Sequence, residues 1–243
     1  MSQAPPPPTQ PTIGLRVGGR DHSISGGAAL AVVAAVLLGL LALLVGTYRA
    51  HAWSFRSLFS PMAISAGLWI LFILYWGAAA KNTAATKSAE SARSRGLHQL
   101  MLNGALVLAF WPVPGLGGRW LPAAPYLAPL GLALQAGCGL LGAWARRHLG
   151  RNWSGAITAK VDHQLVRSGP YRRLRHPIYT AMLGMFLGTA LVSGRLHGVV
   201  ALALISFAYA RKIPLEERNL RQVFGAAYDD YRRESWAVIP GLV

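Results

Sequence analysis

Apolar stretches of membrane-crossing length recur along this chain and constrain its fold more than any other feature. Residues 27–46 run for twenty positions without a charge, residues 62–80 for nineteen and residues 121–145 for twenty-five. A hydrocarbon core about 30 Å thick takes roughly 20 helical residues, so each of these can cross it. Residues 97–112 form a shorter stretch that carries Gln99 and Asn103. Residues 177–193 and 196–210 are shorter again and read as a tight hairpin hinged at Ser193-Gly194-Arg195. Trp53, Trp69, Trp76, Trp111, Trp120 and Trp144 fall mostly near the ends of these stretches, where interfacial anchors belong. Only 13% of the residues are charged and 53% are hydrophobic, proportions foreign to a soluble domain. The expected architecture is an all-α polytopic membrane protein of about six hydrophobic helices, the last two a short hairpin.

The net charge of +16 raises the question of nucleic acid, and the placement of the charge answers it. With six spans and both termini on one side, twenty of the twenty-four Lys and Arg residues share one face. Only Arg49, Arg56, Arg119 and Arg195 lie opposite. The positive-inside rule puts the rich face in the cytoplasm, and a basic face also attracts anionic headgroups. Membrane topology therefore accounts for the charge, and no nucleic-acid partner is expected. The single Cys138 excludes an intrachain disulfide and a Cys-rich metal site. No His, Cys, Asp and Glu arrangement has metal-ligand spacing, so no metal is expected. The abundance of Ala, Gly and Arg points to a bacterial source, hence to an inner membrane.

Along the chain, residues 1–26 begin with a Pro-rich run and read as a disordered tail. The stretch at 27–46 is too long for a typical signal-peptide core and reads as a retained helix. Residues 27–145 form a four-helix transmembrane region with little chemistry, and residues 146–243 hold the polar clusters. In the tail, Leu215, Leu220, Val223, Phe224 and Tyr228 recur at helical spacing. Gly225 is a natural break between two tail helices.

Three clusters can carry chemistry. His176 precedes Pro177, which suits the first position of a helix and leaves free N–H groups for an anion. Gly169-Pro170-Tyr171 reads as a turn in which Gly admits a close backbone approach. Glu216 and Glu217 are two of only eight acidic residues. Alone, each has a plainer reading: an Arg-His-Pro step touching lipid phosphates, an ordinary loop, a pair of surface acids. The proposed topology returns Arg175-His176 and Glu216-Glu217 to one membrane face, which makes them a single candidate site.

Taken in order, Gly150-x-Asn152-Trp153-Ser154, Lys160, His163-x-Leu165, Gly169-Pro170-Tyr171 and Arg175-His176-Pro177-x-Tyr179 form an assembled pattern. It continues as Glu216-Glu217-x-x-Leu220-x-x-x-Phe224-Gly225-x-x-Tyr228-x-x-Tyr231 and ends at Ile239-Pro240. This pattern resembles the isoprenylcysteine carboxyl methyltransferase family and the wider group of membrane methyltransferases that includes phospholipid N-methylating enzymes. The resemblance covers residues 146–243. Ala181 departs from it, standing where Gly is common, which concerns helix packing more than chemistry. The resemblance implies S-adenosylmethionine held in a cytoplasmic pocket between the loop before the hairpin and the C-terminal segment. It implies donor contacts from Lys160, His163, Leu165, Val166, Gly169, Pro170, Tyr171, His176, Pro177, Tyr179 and Glu216. Arg175 and Glu217 would carry the catalytic roles. The implied reaction is carboxyl O-methylation of a prenylcysteine-like or other lipophilic acceptor drawn from the bilayer, with phospholipid N-methylation as the alternative. A carboxylate acceptor needs an Arg to aim it, whereas an ammonium must first lose a proton to a base such as His176 or Glu217. An NADPH-dependent membrane reductase and a non-catalytic lipid-binding protein are the readings from other classes.

Overall fold

A computed structural model describes residues 59–79, 86–89, 91–111, 113–150, 153, 158–160 and 165–241. The expected Pro-rich tail and first span lie outside the described residues. Among the described residues six helices follow in order: α1 (Pro61–Ala79), α2 (Ala92–Phe110), α3 (Leu127–Leu149), α4 (Pro177–Ser193), α5 (Leu196–Phe224) and α6 (Ala226–Glu234). Two short strands, β1 (Thr86–Ala89) and β2 (Thr158–Lys160), pair antiparallel in the connections that follow α1 and α3. A 3₁₀ turn occupies Gly169–Arg172.

Among the described residues, α1, α3 and α5 are long and apolar enough to cross a membrane. Their surfaces are inverted relative to a soluble protein. Leu71, Leu140 and Phe207 are exposed, while Ser65, Gln135 and Thr189 are buried. Bilayer tails provide no hydrophobic drive between helices, so packing and interhelical hydrogen bonds hold such a bundle. These three buried polar side chains are bonded across the helices. Ser65 Oγ donates to Gln135 Oε1 at 2.7 Å, Gln135 Nε2 donates to the Ser65 carbonyl at 2.9 Å, and Trp69 Nε1 donates to Thr189 Oγ1 at 3.0 Å. These bonds tie α1, α3 and α4 together.

The centre of the bundle is α4, which packs most closely on α3 and also on α5. Small residues permit that approach: a Cβ on Gly188 would stand 2.6 Å from the Gly131 carbonyl oxygen. Ala181 is fully buried, and a Cβ on the facing Gly142 would lie 3.2 Å from its own. The site of its departure from the family pattern is thus a helix contact. We expect Gly188→Ala to destabilise the bundle by about 1–3 kcal/mol through overpacking. Thermal unfolding in detergent checks this, and an unchanged melting temperature would show that α3 and α4 separate without cost.

The expected short final helix is corrected by the structure. In place of a 196–210 span followed by a separate tail helix, α5 runs unbroken for 29 residues with Pro214 inside it. Pro214 removes one backbone donor, a loss a helix tolerates when its surroundings hold both sides of the break. Here Lys212 is buried before it, and Glu216 and Glu217 are bonded after it. At 1.5 Å per residue, α5 is about 43 Å long, more than a core of about 30 Å needs. That length leaves room for its last turns to stand outside an apolar layer. Gly225, at φ +55°, breaks the chain between α5 and α6 as its position suggests.

Candidate functional site

Pro177 is the first residue of α4, with His176 as its cap. The His176 carbonyl accepts from the N–H groups of Tyr179 and Thr180 at 2.9 and 3.1 Å. Opposite this helix start, the projecting end of α5 presents Glu216 and Glu217. The two clusters that are about forty residues apart in sequence meet directly. Arg175 Nε donates to Glu217 Oε1 at 2.8 Å, and Tyr179 Oη donates to Glu216 Oε1 at 2.7 Å. The His176 ring lies between the acids, with Nδ1 3.5 Å from Glu216 Oε2 and Nε2 3.4 Å from Glu217 Oε1.

A third element closes the site. Residues 235–238 lie alongside residues 173–176. Trp236 accepts from the Arg175 N–H at 2.8 Å, Ala237 accepts from the His176 N–H at 2.9 Å, and Arg173 accepts from the Trp236 N–H at 2.9 Å. Thr180 Oγ1 adds a bond to the Val238 carbonyl at 2.6 Å. Arg175 binds this element too, since Nη1 donates to the carbonyls of Arg232, at 3.2 Å, and Ser235. Its side chain is 7% exposed. Arg175 thus caps the C-terminus of α6 and pairs with Glu217 at once, so it carries the architecture of the site as well as its charge. Arg232 completes the set, its Nε 3.1 Å from Glu217 Oε2.

Aromatic rings extend inward from the acids. His176 stacks on Tyr179 at 5.3 Å and 2°, and Tyr179 stacks on Tyr209 at 4.2 Å and 18°. His98 of α2 follows at 5.7 Å from Tyr209. On the other side, the 3₁₀ turn buries Pro170 and Tyr171. Gly169 has φ +57°, and a Cβ there would fall 2.4 Å from the His148 ring, so only Gly fits. Tyr231 Oη donates to the Tyr171 carbonyl at 2.6 Å, fastening α6 to the turn. Burial pushes the Tyr171 hydroxyl up, and that of Tyr231 up to about 12, so both are neutral donors.

Of the residues expected from sequence, Arg175, His176, Pro177, Tyr179, Glu216 and Glu217 form one contact group, with Gly169, Pro170 and Tyr171 joined to it through Tyr231. Leu165 and Val166 are half-buried ahead of the turn. Lys160 lies in β2 with its backbone opposite Thr86, and His163 lies outside the described residues. Sequence reasoning missed Tyr209, Lys212 and Arg232. Lys212 Nζ is 3.9 Å from Glu216 Oε1. Positions 209, 212 and 216 share the spacing of one helical face, and that signal was available only once α5 was read through Pro214. Among the described residues, no group of three His, Cys, Asp or Glu side chains is placed to hold a metal ion.

Residues 127–227 match the family model described as phospholipid methyltransferase. A probable protein-S-isoprenylcysteine O-methyltransferase of Oryza sativa subsp. indica is 32% identical over 94 residues, covering 37% of this chain and 49% of its own. The cobalt-zinc-cadmium resistance protein CzcN of Cupriavidus metallidurans is 33% identical over 126 residues, covering 51% of this chain and 55% of its own. The chain therefore spans about half the length of these curated relatives. A solved structure of a eukaryotic intramembrane Ras methyltransferase, an isoprenylcysteine carboxyl methyltransferase, superposes with a TM-score of 0.53 at 20% identity, covering 88% of this chain and 76% of its own. At that identity the likeness concerns the fold.

Proposed function

We propose, on the premise that the chain belongs to the isoprenylcysteine carboxyl methyltransferase family, that it is an integral-membrane methyltransferase using S-adenosylmethionine. Its acceptor is a lipophilic carboxylate of the prenylcysteine kind, and its active site faces the cytoplasm. The observation that carries this reading is the meeting of Arg175, His176 and Tyr179 with Glu216 and Glu217 at the start of α4. The relatives include plant proteins and a bacterial one, so they do not point to one kind of membrane.

The side chains suit the donor's chemistry. Its amino-acid end carries a carboxylate and an ammonium, matched by a guanidinium and two carboxylates. Its sulfonium suits the faces of stacked rings such as His176 and Tyr179. Bound S-adenosylmethionine would supply a sulfonium methyl, which passes to an acceptor oxygen and leaves a neutral thioether. The chain's part in this is placement and exclusion of water, worth roughly 7–11 kcal/mol where the groups are well oriented. Arg175, Lys212 and Arg232 set a positive field that draws an anionic acceptor toward the site. The projecting end of α5 and the segment after α6 cover it from the aqueous side. A carboxylate acceptor asks for no proton transfer, so no general base is required.

The phospholipid methyltransferase description of the matching family model favours a second reading, N-methylation of an aminophospholipid. His176, between two carboxylates, is the base that such a reaction would use. Isothermal calorimetry and methyl-transfer assays on the detergent-purified protein separate these readings. We expect S-adenosylhomocysteine to bind and NADPH not to, with labelled methyl appearing on N-acetyl-S-farnesylcysteine. Label appearing only on phosphatidylethanolamine selects the second reading. Failure to bind S-adenosylhomocysteine at all removes both.

A further inference from the structure

Tyr228 lies in the first turn of α6 and is completely buried, yet its hydroxyl has no hydrogen-bond partner. Its ring meets that of Tyr231 edge-on at 6.1 Å. The contrast between the two is informative, because the Tyr231 hydroxyl donates toward two carbonyls, those of Tyr171 and Leu174, at 2.6 and 3.2 Å. A buried hydroxyl left unpaired costs stability, so the unliganded fold gains nothing from the Tyr228 oxygen. Arg232 stands one turn after Tyr228 on the same face of α6, and its Nε lies 3.1 Å from Glu217 Oε2, so this face of the helix meets the site's central ion network. Burial, with Glu217 adding to it, pushes the hydroxyl up and keeps it a neutral donor.

A ligand with both a carboxylate and an ammonium competes with each half of the Arg175–Glu217 pair. Its carboxylate draws on Arg175 and its ammonium draws on Glu217. As Arg175 Nε loosens, the Glu217 carboxylate, 12% exposed, loses its shortest contact and keeps the wider ones to Arg232 and His176. We infer that Tyr228 is a positioning residue whose hydroxyl turns onto Glu217 when the amino-acid end of the methyl donor engages the Arg175–Glu217 pair. It thereby holds the carboxylate in place for the ligand's ammonium. This rests on the donor reading above and adds to it a specific route by which α6 senses the ligand.

The test compares the parent with Tyr228→Phe, using calorimetry with two nucleosides. S-adenosylhomocysteine carries the amino-acid end and 5′-methylthioadenosine lacks it. Tyr228→Phe should melt at or above the parent's temperature without ligand. It should bind S-adenosylhomocysteine roughly 10-fold more weakly, the scale of one hydrogen bond to a charged group, and 5′-methylthioadenosine equally well. Unchanged affinity for S-adenosylhomocysteine overturns the assignment. So do equal losses for both nucleosides, or a lowered melting temperature, since each marks a merely structural hydroxyl. If the parent binds neither nucleoside, the donor reading itself fails, and this outcome is visible before any variant is made.

Discussion

Glu217→Gln should cost between about 30- and 4,000-fold in donor affinity and methyl transfer together, the range for removing one member of a buried, hydrogen-bonded charge pair. Glu217 is the single carboxylate that Arg175, His176 and Arg232 share, at 2.8, 3.4 and 3.1 Å. Glutamine keeps the shape and one acceptor oxygen but leaves two guanidinium groups without their counter-charge. The uncompensated burial of Arg175 also lowers stability, by about 3 kcal/mol at the lower end for a broken buried pair. Glu216→Gln should do less, because Glu216 takes a bond from the Tyr179 hydroxyl and looser contacts from His176, at 3.5 Å, and Lys212, at 3.9 Å. Calorimetry with S-adenosylhomocysteine and a melting curve on each variant decide the matter. Parent-like affinity and turnover in Glu217→Gln would move the site elsewhere.

Arg175→Ala should abolish transfer as well, but by a different physical route. Besides pairing with Glu217, Arg175 donates to the Arg232 and Ser235 carbonyls at the end of α6. Alanine therefore takes the closest guanidinium from a largely buried carboxylate and releases the last turn of α6 together with the segment that pairs with residues 173–176. We expect a loss of about 3 kcal/mol from the broken pair, the low end of the range because Arg232 and His176 stay with the carboxylate. Hydrogen exchange is the discriminating measurement. Residues 226–238 should lose protection in Arg175→Ala while the middle of α4 stays protected, because α4 is held by its contacts with α3 and α5. In Glu217→Gln the carbonyl bonds of Arg175 survive, so the same residues should open far less. Lysine at 175 should restore little, since one ammonium cannot reproduce the fork that serves a carboxylate and two carbonyls. Tail protection that is unaffected by Arg175→Ala would show that the architectural role belongs to the backbone pairing with Trp236 and Ala237.

The pairing of these two variants also distinguishes chemistry from scaffolding. A site in which Arg175 only steers the ligand would show affinity loss with an intact tail. A site in which it only builds the tail would show exchange without a specific change in ligand preference. The bonds of Arg175 predict both effects together.

Several features of this site are legible from local sequence because their cause is local. Pro177 opens α4 because its fixed φ and missing N–H suit a first helical position. Gly225 ends α5 because its positive φ is open to Gly without strain. Gly169 is likewise a turn Gly, although its other reason, the His148 ring 2.4 Å from where a Cβ would stand, belongs to the tertiary fold. The convergence of Arg175-His176 with Glu216-Glu217 follows from counting spans and placing basic residues on one face. Charge asymmetry and apolar length are additive along the chain, so they survive without knowledge of contacts.

What sequence alone determined is that this is a helical membrane chain with its polar chemistry gathered at one face after residue 146. Tertiary structure decided which side chains complete the site. Pro214 costs α5 one backbone donor, yet the helix continues through it because bonds on both sides outweigh that loss. Arg175 reads as a ligand-facing cation, yet two of its bonds go to carbonyls contributed some sixty positions later. Buried charges and orphaned carbonyls are satisfied by whatever group lies nearest in space, and that identity is a property of packing, whereas hydrophobic length and charge bias are properties of the chain.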